Sequence, residues 1–547
     1  MRRRPESVLV LLWTCFVARG LFYSALLPLW EGYDEESHFA YVQHIVTHGS
    51  IPVPGVSRIS PEIAASLTSS PVPWTRRDEF PGAISYDRFW NLSPEERAAR
   101  LTSPASELPA ELIHETQQPP LYHWILSPFL RFAGRWTLPS RVFLLRSISI
   151  LIASAALPFG FSVARASARS LGLRRGSEIG FAAAVIAVAT CMPEAFINFA
   201  RVGNESLSVF FYTLLAWACL RALDHGLSLH GTAWMGVALG GGLLTKAYFL
   251  TAIPVVCIVY LLIWRRTKVS FRLTALHATA ALTLAALPSF WWYRFIYLAT
   301  GDLTGQIQSI GLRMVPWIDR LRAAFDVNWI RALDIAMVSH IWFGGWSFLQ
   351  VRSWIYHSFY AIGLAALAGL CVLLLRKRAS ISLFVLALLE LCFAAAIAYH
   401  VTLSQIAYNA PMTCGWYFYC LVFAEVILIC AGLRALLPIR ARAWAAPLLA
   451  ALFALLDLYG VHFILLPYYT GMVTHTPAGR LPVFRLSHLA STGLGEVSAR
   501  LSLNPPFLLG PVAFWVLWGM YWIATITCVV IAIRGVWSES NETSPAE

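Results

Sequence analysis

Asp34, His38 and Tyr41 stand at i, i+4 and i+7 in the segment Trp30-Glu31-Gly32-Tyr33-Asp34-Glu35-Glu36-Ser37-His38-Phe39-Ala40-Tyr41. A helix there puts all three on one face. The carboxylate at its head can then serve as a base or a cation ligand; the alternative is an acidic cluster that favours a helix N-terminus. In Gln117-Gln118-Pro119-Pro120-Leu121-Tyr122-His123-Trp124, two prolines fix the chain's approach to a short amphipathic helix over about 121–133. Alone, that segment reads as a structural turn. Arg201-Val202-Gly203-Asn204-Glu205, with Glu194 just before it, packs a cation, an amide and a carboxylate into one turn. It is either a binding device or a paired interfacial charge. Leu243-Leu244-Thr245-Lys246-Ala247-Tyr248 carries one of the chain's three lysines, the others being Lys268 and Lys377. A bound anion would explain Lys246; snorkelling is the alternative. Cys/His metal spacing, a phosphate-cradling glycine loop and a GxSxG elbow are absent.

The elements that must position these residues are membrane helices. Of 547 residues, 58% are hydrophobic and 13% charged, and the mean hydropathy is +0.62. Soluble domains carry about 25% charged residues. A soluble enzyme, a disordered chain and a disulfide scaffold are therefore excluded. Spans of about 20 apolar residues fall at roughly 7–29, 142–166, 178–198, 205–222, 232–247, 249–264, 273–296, 355–375, 380–400, 416–437, 443–466 and 509–533. The expected fold is an all-α polytopic membrane protein of about twelve transmembrane helices. The pair around 232–264 is interrupted by Gly240, Gly241, Gly242 and Pro254.

Arginines orient the bundle, since basic residues favour cytoplasmic loops. Arg2, Arg3 and Arg4 place the N-terminus inside. Arg165, Arg169, Arg174 and Arg175, then Arg265, Arg266, Lys268 and Arg272, then Arg376, Lys377 and Arg378, then Arg434, Arg440 and Arg442, and finally Arg534 each follow an even number of crossings. Both termini are expected in the cytoplasm. The net charge of +12 is thus spread over short inner loops and does not imply nucleic acid. Lys246 becomes the one lysine on the outer side. The first apolar stretch runs on to Trp30, which favours a retained anchor over a cleaved signal. Arg19 inside it is expected to face other helices and find a partner there.

Residues 30–120 form a long outer loop with thirteen acidic and six basic residues, acidic within a basic protein. Further outer segments span about 297–353, with Trp317, Trp329, Trp342 and Trp346, and about 467–508, with His475, Arg480, Arg485 and His488. Their aromatic content favours order and helices lying at the interface. Of the ten cysteines, only Cys414 and Cys420 lie near a loop where a disulfide could form. Glu390, Glu425 and Asp457 lie within apolar spans, and intramembrane acids are functional candidates.

In order and with this topology, the four motifs resemble the GT-C superfamily of membrane glycosyltransferases. The likeness is to the branch of lipid A aminoarabinose transferases, protein O-mannosyltransferases and related uncharacterised bacterial membrane proteins. It is carried by Asp34-Glu35 after one span, Gln118-Pro119-Pro120-Leu121-Tyr122, Arg201 with Asn204-Glu205, and the Gly-Leu-Leu-Thr-Lys run ending at Lys246. Gly415-Trp416-Tyr417 is a looser match, because relatives often have Gly-Arg-Tyr. The likeness covers about 7–265 well and the remainder in layout only.

The resemblance implies transfer of a sugar from a polyprenyl-phosphate carrier to an extracytoplasmic acceptor hydroxyl or amine, at the outer face of a bacterial inner membrane. On that likeness Asp34 is the base, with Glu35 as its rival. Lys246 and Arg201 receive the carrier phosphate, and Glu205 orients the acceptor or holds a cation. His38 assists either role; Tyr122 and Tyr417 belong to the substrate-binding set. A single displacement implies inversion. Some superfamily members need a divalent metal, but Asp34, His38 and Glu205 form no metal signature. The lipid-linked sugar is a substrate, and no cofactor is assigned. The expected layout is a first transmembrane helix (1–29), an extracytoplasmic loop with interfacial helices (30–140), helices two to seven (141–296), a second outer segment (297–353), helices eight to eleven (354–466), a third outer loop (467–508), and a last helix with a cytoplasmic tail (509–547). The alternatives are a transporter or lipid flippase using Glu390, Glu425 and Asp457, and a non-catalytic GT-C-like scaffold of cell-envelope assembly.

Overall fold

The computed structural model describes residues 5–102, 111–377, 380–476, 479–503 and 510–543. Among them the regular elements are all helical, with only two isolated bridges, Arg58 to Leu112 and Val72 to Ser85. Ten helices are long and apolar enough to cross a membrane. Among the described residues the pair Gly176–Cys191 and Pro193–Phe199 passes the same test together, bent by 69° where Pro193 removes a backbone donor, and taken as one span it is the eleventh. The protein is an all-α integral membrane protein.

The twelfth expected span is where the count departs. Leu229–Leu243 has 15 residues, about 22 Å of helix against a hydrocarbon core of about 30 Å. It still returns the chain, because Lys246 beyond its end pairs with Glu205 at the start of the preceding helix, Glu205–His225. Its glycines serve packing. A Cβ on Gly240 would lie 2.9 Å from Ala285 Cα of the helix Phe271–Thr300, so the two backbones touch.

The arginine-bearing loops share one end of the bundle. Ser170 donates to Ser380 (2.7 Å), Arg165 pairs with Glu178 (2.5 Å), and Arg434 lies over Phe181. The opposite end carries the long loop, folded into the helices Glu35–His48, Pro61–Ser69, Tyr86–Phe89, Pro94–Thr102 and Leu121–Phe132. Phe39, Tyr41, Ile63, Leu67, Tyr86 and Phe89 form its core.

Inside the bundle, Arg19 pairs with Asp457 (2.7 Å), which also accepts from Tyr521 (2.7 Å) and Tyr23. Burying the two charges is tolerable only because each has partners. In the segment 297–353 the helices Trp317–Arg322 and Trp329–Ile341 expose Trp317, Ile318, Leu321, Trp329 and Ile330, an apolar surface suited to the interface. Cys414 and Cys420 are both free. Cys420 lies within the 3₁₀ helix Gly415–Leu421, whose rise of about 2 Å per residue separates the two thiols by two turns.

Candidate active site

The four motifs meet at the end of the bundle that carries the long loop. The double proline turns the chain so that the Leu121 amide donates to the Leu244 carbonyl (3.1 Å). Asn204 Nδ2 donates to Gln118 Oε1 and to the Thr245 carbonyl, both at 3.0 Å. Tyr41 donates to the Gln118 carbonyl (3.2 Å). The buried Tyr122 hydroxyl accepts the Gly203 amide (2.8 Å) and bonds Ser149 (2.7 Å). Tyr122 thus holds the Arg201–Glu205 turn in place.

Asp34 is the N-cap of the helix Glu35–His48, in left-handed conformation (φ 54°, ψ 22°), and makes no capping bond. An aspartate tolerates this region better than most residues, and such strain clusters at functional sites. Its carboxylate has no hydrogen-bond partner among the described residues, and Asp34 lines a cavity of about 490 Å3 of mixed polar and apolar character with Thr75, Arg76, Glu79, Phe80, Glu111, His114 and Trp346. Burial, and then the charge of Glu36, raise its pKa above the ordinary carboxylate value.

Glu35, the neighbouring candidate, is used otherwise. Arg146 grips both its oxygens (2.7 and 2.5 Å), and it accepts the Val202 amide (2.9 Å). Arg146 also donates to the Ser24, Leu27 and Pro28 carbonyls. This clamp fastens the end of the opening helix to the site turn. Sequence reasoning missed Arg146, although an arginine within an apolar span was the available signal.

The cations gather around Glu205. Its Oε2 lies 2.6 Å from Arg201 Nη2, and its Oε1 accepts from Lys246 Nζ. Arg201 also donates to the Tyr33 carbonyl. Lys246 stands over the rings of Tyr417 (5.4 Å) and Tyr248 (5.2 Å). Lys246 is not among the residues lining the Asp34 cavity. Burial first, and then Asp34, push Glu115 up to about 7, while Lys246 acts in the opposite sense. Glu115 was also missed. Its position three residues before Gln118 was the signal.

His38 is buried and bonds His123 (Nδ1 to Nε2, 3.0 Å), and the His123 ring stacks on Tyr41 at 3.8 Å. Burial drives His38 well below the ordinary histidine value and takes His123 down to about 3, so both are neutral. A wall is added by the turn 343–347. Glu194 accepts from the Phe343 and Gly344 amides (2.8 and 3.1 Å) and from Tyr33 (2.7 Å). Glu31 accepts from the Ser347 amide (2.8 Å) and hydroxyl (3.0 Å).

Two of the three intramembrane acids have partners of their own. Asp457 is committed to Arg19, Glu425 bonds His340 (2.7 Å), and one Glu390 oxygen is buried without a hydrogen bond. Among the described residues, no group of three His, Cys, Asp or Glu side chains is placed to hold a metal ion.

No protein-family model matches the chain, and no curated protein sequence does. Solved structures similar to the chain include ArnT from Cupriavidus metallidurans bound to undecaprenyl phosphate, and the same protein in the apo state. Each is 13% identical with a TM-score of 0.45, over 98% of this chain and 77% or 78% of theirs.

Proposed function

We propose that this protein is a GT-C-type glycosyltransferase that moves a sugar from a polyprenyl-phosphate carrier to an extracytoplasmic acceptor. One juxtaposition carries the reading. An uncommitted carboxylate, Asp34, lines a cavity, and of the two buried cations that share Glu205, Arg201 and Lys246, the first donates to the carbonyl of Tyr33, the residue before Asp34. That pairing matches what the reaction demands. A base must take the acceptor's proton, and the departing phosphate needs its charge stabilised where water is excluded.

In this mechanism the acceptor occupies the cavity beside Asp34. Asp34 takes the proton of its hydroxyl or amine as the freed lone pair attacks the anomeric carbon. The bond from that carbon to the phosphate oxygen breaks. Its electron pair leaves on the polyprenyl phosphate, held by Lys246 and Arg201. One displacement inverts the anomeric centre. Glu35 and Tyr122 hold the backbone, Tyr417 flanks Lys246, and neutral His38 packs behind the reacting face. The site end of the bundle faces away from the cytoplasm of a bacterial inner membrane, in keeping with the arginine loops at the other end. The test is transfer of labelled sugar from a polyprenyl-phosphate donor in membranes containing the protein. Carrier binding without turnover under all donors would instead describe a scaffold.

A further inference from the structure

Resting on the carrier-phosphate reading, we propose that Glu205 is a resident anion that fills the phosphate site and is displaced when the carrier phosphate arrives. Its carboxylate bridges the two cations assigned to that phosphate, with Oε1 on Lys246 and Oε2 on Arg201. Both cations are buried, 2% and 6% exposed. Two buried cations without an anion would be costly. An empty site therefore needs an internal counter-ion, and Glu205 is the one present.

The surroundings are those of an oxyanion site rather than of a simple ion pair. Glu205 opens a helix of 21 residues whose N-cap, Asn204, makes no side-chain capping bond. The Asn204 amide group is spent on Gln118 and Thr245. Glu205 thus stands at the positive end of the helix dipole, where first-turn N–H groups lack intrahelical acceptors, and in contact with Arg201 and Lys246.

The carboxylate also fills this site incompletely. Its Oε2 contacts Arg201 as an ion pair without making a hydrogen bond, and Arg201 Nε is buried with no acceptor. Two carboxylate oxygens serve where the phosphate monoester of the spent carrier would offer three, with geometry for a guanidinium fork. A carrier phosphate, a diester before transfer and a monoester after it, and the Glu205 carboxylate cannot both sit between the same cations, so arrival of one expels the other. After transfer, the return of Glu205 favours release of the spent carrier. Glu205 thereby sets carrier affinity as a competitor.

The test is binding of farnesyl phosphate, with farnesol as its phosphate-free control, to the full-length protein. Wild type is compared with Glu205→Gln, with thermal unfolding checking that each is folded. Glu205→Gln is expected to bind farnesyl phosphate about tenfold more tightly, a change of about 1.4 kcal/mol, with farnesol binding unchanged. If folded Glu205→Gln binds farnesyl phosphate equally or less well, while Lys246→Ala still weakens wild-type binding, the resident-anion role is overturned and the carrier reading stands. If neither wild type nor Glu205→Gln prefers farnesyl phosphate to farnesol, the phosphate site is gone and both readings fall. Should Glu205→Gln not fold, Glu205→Asp replaces it. Its shorter side chain cannot span both cations, and the same direction is expected.

Discussion

Trp416 lies flat on Tyr33, with ring centroids 3.7 Å apart and planes 12° from parallel. Tyr33 is the residue whose carbonyl receives Arg201 and whose hydroxyl reaches Glu194. The tryptophan found where related sequences often have arginine therefore aims a cation instead of supplying one. Trp416→Ala is expected to cost about 3–5 kcal/mol of stability and to weaken carrier binding. Trp416→Phe keeps a ring on Tyr33 and retains most of both. Thermal unfolding and carrier titration read the two effects, and equal behaviour of the alanine and phenylalanine variants would remove the stack from the account.

Asp34→Asn removes the base without altering size. Transfer is expected to fall about 10²- to 10⁴-fold, while carrier binding stays at the wild-type level. Single-turnover transfer with labelled donor measures the first, and titration with farnesyl phosphate the second. Transfer at the wild-type rate would dismiss Asp34 as the base.

Glu35→Gln addresses the adjacent carboxylate and should behave differently. It leaves Arg146 buried with carbonyl partners and no counter-charge, a change worth about 3–5 kcal/mol. The expected result is a lower melting temperature and less folded protein, with little change in turnover per folded molecule. An unchanged melting temperature with lost turnover would restore Glu35 as the rival base.

The pH dependence of transfer follows from the raised carboxyl of Asp34. A base acts when ionised, so kcat/KM should rise with pH along a limb centred above the ordinary aspartate value of about 4. Glu115, pushed up to about 7, titrates together with Asp34. Glu115→Gln removes a neighbouring negative charge and is expected to move the limb to lower pH. A limb that stays in place would separate the two groups.

Glu31 makes a prediction about stability. Burial lifts its carboxyl from 4.5 to about 8 in the folded protein. The folded state then binds more protons than the unfolded one across that window, so stability falls as pH rises from about 4.5 to 8. Below 4.5 the contribution is fully present. Glu31→Gln cannot ionise and should flatten this slope, as read from melting temperatures across the pH range. An identical slope in the variant would mean that Glu31 is ionised in the folded protein.

The spans were legible because apolar runs about a bilayer thick announce themselves, and Arg19 within one of them announced a partner such as Asp457. The short helix Leu229–Leu243 was less so, because glycines that interrupt a hydropathy run also let two backbones touch, as at Gly240 and Ala285. The chemistry-bearing residue types were visible, but their division of labour was not. Asp34 and Glu35 are neighbours of like charge, and only the arrival of Arg146, 111 residues later, makes one structural and leaves the other open. Glu115 stood three residues before Gln118, but nothing in that spacing said that its carboxyl would be buried.

The turn 343–347 has a bearing on how the protein is made. Its amides satisfy Glu31 and Glu194, which precede it by 316 and about 150 residues. Until ribosomes have delivered that turn, the first seven crossings wait in the bilayer with two acids lacking these donors. Maturation of the reactive end is thus a late step in biogenesis. Chains truncated before residue 343 would present an unfinished face to quality control.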